Sequence, residues 1–250
     1  MLHAGRRMVL ADLRRQVERF EGGYRLRPGI PFGVAPLDRH LPHGLTLGSL
    51  HEVVEGGPAA EFAGSATLFT AGILTRLRGP VLWCLTRRDL FAPGLARAGL
   101  HPNRVIYAET FRNREVLPVM EEGLKESGLA AVVGEVTHLS LAASRRLQLA
   151  AEKSGVPALV LRRWWTVAEK ELTLLPTAAT TRWRISPASS HDPPVPGLAR
   201  ARWHVELLRC RGGDPRSWIL EACDETGRLA LPADLAHRPH PAAHRRTAAG

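Results

Sequence analysis

His51 to Phe69 reads HEVVEGGPAAEFAGSATLF, an apolar run, a glycine-bearing turn and the opening of a mostly apolar helix. That order is the outline of a phosphate-binding loop, in which successive backbone N–H groups wrap an anion, a lysine supplies charge and a hydroxyl holds magnesium. The spacing departs from it. Gly57 and Gly64 are seven residues apart where GxxxxGK[ST] requires five, and Gly64 is followed by Ser65, Ala66 and Thr67, not by lysine. No lysine precedes Lys125. Arg76, the nearest arginine downstream, stands roughly 18 Å from the loop if the intervening residues are helical at ~1.5 Å each. Glu55 and Glu61 would repel a phosphate. The turn is therefore expected to be a plain strand-to-helix connection, with Gly56, Gly57 and Gly64 kept for chain geometry and the helix running from about Ser65 to Arg78.

Outward from this turn the chain alternates short apolar runs with helical stretches. PVLWCLT (80–86), RVIYAE (104–109), LAAVVGEV (129–136) and VPALVLRR (156–163) are too short and too evenly apolar for surface helices, and read as strands buried on both faces. Between them lie helical patterns near 90–98, 114–127 and 140–154, the last with Ser140 as N-cap. Strands separated by helices of this length imply parallel βαβ units covered on both faces. Beyond Trp165 the pattern changes to ATTRWRIS, ARARWHVELLRCR, SWILEACD and GRLALP, separated by GGDP and DETG turns, which predicts consecutive antiparallel strands along one sheet edge. The fold class is thus α/β, a mostly parallel sheet flanked by helices and extended by antiparallel C-terminal strands.

Three segments follow: an N-terminal amphipathic arm over 1–28, an α/β domain over 29–235, and a basic tail over 236–250 that lacks apolar periodicity and is expected to be disordered. The net charge of +10 would suggest nucleic acid, but the arm carries +4 and the tail +3, so the domain holds little of it. The three cysteines, Cys84, Cys210 and Cys223, have no metal-ligand spacing and read as buried thiols of a reducing compartment. His43, His51 and His138 read as polar loop residues, and His237, His240 and His244 lie in the tail. No apolar run is long enough to span a membrane, and a cytoplasmic protein is expected.

The order of elements resembles the RecA-type ATPase core. In that family the strand after the loop helix ends in a catalytic glutamate, whereas VLWCLTRRDL (81–90) places Arg87 there, and a guanidinium cannot act as base. The family's magnesium-organising aspartate corresponds to Gly134, with Glu135 one place later, where strand alternation is expected to turn it away. FGVAPLDRHLPHGLTLGSLHEVVE (32–55) and ARARWHVELLRCRGGDPRSWILEACDETGRLALP (199–232) narrow the resemblance to the ImuA family.

That resemblance implies a RecA-like core with degenerate nucleotide chemistry and no cofactor, Gly57, Gly64, Ser65 and Thr67 being the relic of the loop. It also implies a role in damage-induced translesion DNA synthesis beside an ImuB-type Y-family polymerase homologue and an error-prone C-family polymerase, with RecA as a further candidate partner; single-stranded DNA is a candidate on the chemistry of the contact residues named below. Two alternatives stand beside it: an ATP-dependent RecA-like enzyme with an atypical loop, and a SulA-like division inhibitor. Candidate contact residues are Arg162, Arg163, Trp164 and Trp165, where Arg could pair with phosphates and Trp could stack on bases. Leu10, Leu13, Arg14, Val17 and Phe20 line the arm's helix, which could dock on a partner or on its own domain.

Overall fold

The computed structural model describes residues 28–189 and 200–232. An eight-stranded sheet runs in the order β10-β9-β8-β3-β7-β6-β4-β5. Its strands are β3 (Leu50–Glu55), β4 (Val81–Leu85), β5 (Val105–Glu109), β6 (Ala131–Val136), β7 (Ala158–Arg162), β8 (Thr181–Ala188), β9 (Arg202–Cys210) and β10 (Arg216–Glu221). A small antiparallel ribbon, β1 (Gly29–Ile30) with β2 (Leu45–Thr46), precedes it, with helix α1 (Ala35–His40) between the two strands. Helices α2 (Ala59–Thr75), α3 (Ala92–Arg97), α4 (Asn113–Gly123), α5 (Leu141–Ser154) and α6 (Val167–Thr173) complete the fold.

The expected α/β architecture is the one observed. β3, β6 and β7 are buried at every position, because helices cover both faces and leave no reason for polar alternation. One face packs on α2, where Phe69 contacts Trp183 and Trp203 at ring separations of 5.8 and 6.3 Å. The other carries Leu50, Val132, Val160 and their neighbours under Met120 of α4 and Leu147 of α5. Ser140 caps α5 as expected, its hydroxyl accepting from the Ala143 N–H.

The C-terminal expectation needs one correction. β8 pairs parallel with β3, so the parallel part of the sheet has one more strand than the pattern suggested. β9 is antiparallel to β8, and β10 to β9, while GRLALP contributes only an isolated bridge from Ala230 to Glu221. The turn chemistry of GGDP shows a reversal between two strands but carries no information about the first strand's partner. The arm residues Leu10, Leu13, Arg14, Val17 and Phe20 and the 236–250 tail lie outside the described residues. Among those described, no helix is long and apolar enough to cross a membrane.

Candidate functional site

β3 ends at Glu55, and the chain turns through Gly56, Gly57 and Pro58 before α2 starts at Ala59. A Cβ on Gly56 would lie 1.8 Å from the Ser186 hydroxyl oxygen, and one on Gly57 2.1 Å from the Phe62 ring. Pro58, at φ −56°, accepts at its carbonyl from the Glu61 and Phe62 N–H groups and so starts the helix. α2 therefore begins well before the expected Ser65. Gly64, Ser65 and Thr67 are helical residues, not loop residues, and open space surrounds the position a Gly64 Cβ would take. Chain geometry accounts for Gly56 and Gly57 and not for Gly64. Two of the turn's amides are engaged internally, Gly56 N–H to the Ile185 carbonyl at 2.9 Å and Ala59 N–H to the Trp164 carbonyl at 2.8 Å. A phosphate nest needs such donors free and convergent.

A cation does reach this edge, from a strand that sequence spacing could not connect to it. Arg163, just past β7 and 5% exposed, pairs through Nε with Glu135 at 2.9 Å and through Nη1 with Asp89 at 3.3 Å, and lies 3.8 Å from Glu55. Its Nη2 donates to the Thr67 hydroxyl at 3.4 Å, and the Trp83 indole N–H donates to Glu135 at 2.8 Å. Burial pushes the Glu55 carboxyl up to about 8, against the opposing pull of Arg163 and the Trp164 backbone N–H. Burial raises Glu135 too, opposed by Arg163 and Trp83. Three carboxyls share one guanidinium, and near neutral pH the Glu55 carboxyl keeps its proton.

The expectation that alternation turns Glu135 away is overturned. Gly134 is the residue that faces away, toward α4, where a Cβ would meet the Met120 sulfur at 2.1 Å. Arg76 points elsewhere, donating to the Pro31 and Gly227 carbonyls. Arg87 is exposed, with its guanidinium 4.3 Å from the centre of the Trp165 ring. A crevice of about 360 Å³ opens here between the carboxyl ends of β4 and β6, bounded by Arg87, Phe111, Glu135, Arg163 and Trp165. These two neighbours lead onward in opposite directions, β4 to the sheet edge at β5 and β6 to β7 on its other side. Such a switch point is where open α/β sheets place their ligands.

The chain matches no family model. It is 40% identical over 223 residues to Protein ImuA of Caulobacter vibrioides (strain NA1000 / CB15N), an alignment covering 86% of this chain and 87% of the relative. The same identity and coverage hold for Protein ImuA of Caulobacter vibrioides (strain ATCC 19089 / CIP 103742 / CB 15). The chain belongs to the ImuA family.

In this ImuA-family chain the other predicted contact residues are mostly inside the protein. Arg162 is fully buried, pairing through Nη1 with Glu52 at 3.2 Å and donating through Nη2 to the Thr137 and Leu172 carbonyls at 3.1 and 2.9 Å. Arg182 meets the second Glu52 oxygen and donates to the Leu175 carbonyl at 2.7 Å. Together they fasten α6 and its exit to the sheet. Trp164 is 7% exposed, its indole N–H on the Glu55 carbonyl. Arg162, Arg163 and Trp164 thus present no free group to a nucleic acid strand. Trp165 alone is half-buried, and the chain after it enters α6 at once through a Thr166–Glu169 capping box.

His51 is a buried strand residue, not a loop residue. Its Nδ1 and Nε2 lie 2.8 Å from the Thr181 hydroxyl and the Thr46 carbonyl, and burial lowers it to about 4, so it is neutral. Its Nε2–H donates to Thr46 and its Nδ1 accepts from Thr181, whose oxygen in turn accepts the Trp183 indole N–H. Of the cysteines, Cys84 is buried while Cys210 and Cys223 are half-buried. Among the described residues no trio of His, Cys, Asp or Glu is placed to hold a metal ion. Glu52, paired with Arg162 and Arg182, is a structural residue whose signal in the sequence is a charge inside an otherwise apolar strand.

Proposed function

We propose that this ImuA-family chain is a non-catalytic accessory protein of damage-induced, mutagenic DNA synthesis in the cytoplasm. It acts by contact with an ImuB-type Y-family polymerase homologue, and with RecA and an error-prone C-family polymerase as further partners. Family membership supports the process. The observation that carries the non-catalytic part is the internal pairing of the polar groups at the carboxyl edge: turn amides bound to Ile185 and Trp164, and Thr67 and Glu135 both bound to Arg163. Residues that would meet phosphate and magnesium are each other's partners, and opening them costs the pairing of buried charges.

Equilibrium binding of a fluorescent ATP analogue with magnesium tests this. The expected result is no saturable binding in the micromolar range. Saturable binding lost in an Arg163→Met variant would overturn it in favour of an atypical nucleotide site, the second reading that the convergence of Thr67, Glu135 and Arg163 supports. Capture of the polymerase homologue by the full chain tests the partner half, and its absence refutes the scaffold role.

A further inference from the structure

On the face of β8 turned away from α2, Arg182 and Arg184 line a groove of about 770 Å³. α6 and the segment leaving it form one wall, and Leu208 and Arg209 of β9 the other. The groove is mixed in a specific way. Leu174 is 59% exposed and Leu141 39%, and Val167 and Lys170 of α6 and its C-cap Leu174 fall on one stripe at three- and four-residue spacing. The cations differ in what already neutralises them. Arg182 is bound by Glu52, and Arg184 by both oxygens of Glu206. Lys170 and Arg209 are exposed and have no carboxylate partner among the described residues: the ammonium lies 5.8 Å from the Trp164 ring centre, and the guanidinium donates to the Thr177 carbonyl. Glu55, at the groove's end, is held protonated by its burial and brings little negative charge.

Aliphatic side chains beside cations that have no carboxylate partner among the described residues select an occupant with carboxylates and leucine-like groups. Nucleic acid fits less well, because the groove's one aromatic ring, Trp164, is buried and lies beneath Lys170, leaving no face for a base. The chain's own terminal segments outside the described residues carry the wrong sign, +4 over 1–27 and +2 over 233–250. We propose that this groove binds an acidic amphipathic segment of a partner protein, its carboxylates on Lys170 and Arg209 and its aliphatic groups on Leu174, Leu141 and Leu208. The inference rests on the reading of the chain as a partner-binding accessory protein.

The test uses the full chain and a fluorescein-labelled peptide built from repeats of Leu-Glu-Asp-Leu, followed by anisotropy. Saturable binding that weakens with added salt is expected. The Lys170→Glu/Arg209→Glu double variant and Leu174→Asp should each weaken it by about tenfold or more, roughly the loss of one charge-assisted contact or one buried aliphatic group. All three positions are exposed, and thermal denaturation of each variant checks that the fold is kept. The double variant should also gain binding to a Leu-Lys-Lys-Leu repeat that the parent rejects. Equal peptide affinity across parent and variants overturns the proposal. So does a parent that binds oligo-dT in preference to the peptide and loses it in the same double variant, which would make the groove a nucleic acid track. Peptide binding with no capture of the polymerase homologue leaves the groove standing and refutes the functional reading, and capture unaffected by the double variant does the reverse.

Discussion

Glu55→Gln should stabilise the protein at neutral pH and flatten its stability against pH. The Glu55 carboxyl titrates near 8 in the folded chain because burial outweighs the attraction of Arg163, against an ordinary value of 4.5. Between those two values the unfolded chain is ionised at this residue while the folded chain holds the proton. The unfolded state therefore binds fewer protons, and stability falls as pH rises, by at most about 1.4 kcal/mol per pH unit. At pH 7 the accumulated penalty is about 3 kcal/mol, a large share of the roughly 5–15 kcal/mol that holds a typical domain folded. Glutamine keeps the shape of the neutral carboxyl and cannot ionise. Urea unfolding at intervals from pH 4 to pH 8.5 should show the two proteins alike at the acid end, with the variant about 3 kcal/mol more stable at pH 7. Superimposable pH profiles for parent and variant would refute the reasoning, because they would mean that Glu55 is ionised in the native cluster.

Arg162→Met should destabilise by about 3–5 kcal/mol in the same assay, since it leaves Glu52 with one partner and the Thr137 and Leu172 carbonyls without a donor. A loss below about 1 kcal/mol accompanied by weaker single-stranded DNA binding would restore the contact role instead. Gly64→Ala should raise stability by about 0.5–1 kcal/mol, because Gly64 is an interior helical residue with open space around it. Gly56→Ala should lower it by about 1–3 kcal/mol by driving a methyl into Ser186, and thermal denaturation of the two variants side by side checks both signs.

The central strands were legible because burial on both faces makes them run continuously apolar, and that signal is local. The start of α2 was not. GGPAAEFAG offers three glycines as turn residues, and only the contacts of Gly56 with Ser186 and Gly57 with Phe62 show that the turn stops at Pro58. The parallel pairing of β8 is not legible locally, because its neighbour, β3, lies far back in the chain.

Charge was the least legible property. RRWW after a strand has the composition of a nucleic acid contact, yet Arg162 finds Glu52 at a sequence separation of 110 residues and Arg163 reaches Thr67 across 96. Nothing in the local pattern distinguishes an arginine that faces water from one that meets a carboxylate in the interior.

The amino-acid order was sufficient for the layering of the fold, the family and the absence of the loop lysine, because hydrophobic period and motif spacing are properties of neighbouring residues. Which acid faces the carboxyl edge of the sheet, which arginine neutralises it and which groove cations lack a carboxylate among the described residues were set by tertiary structure. Ion pairing in a low-dielectric interior depends on distances of a few ångströms between strands that only folding brings together.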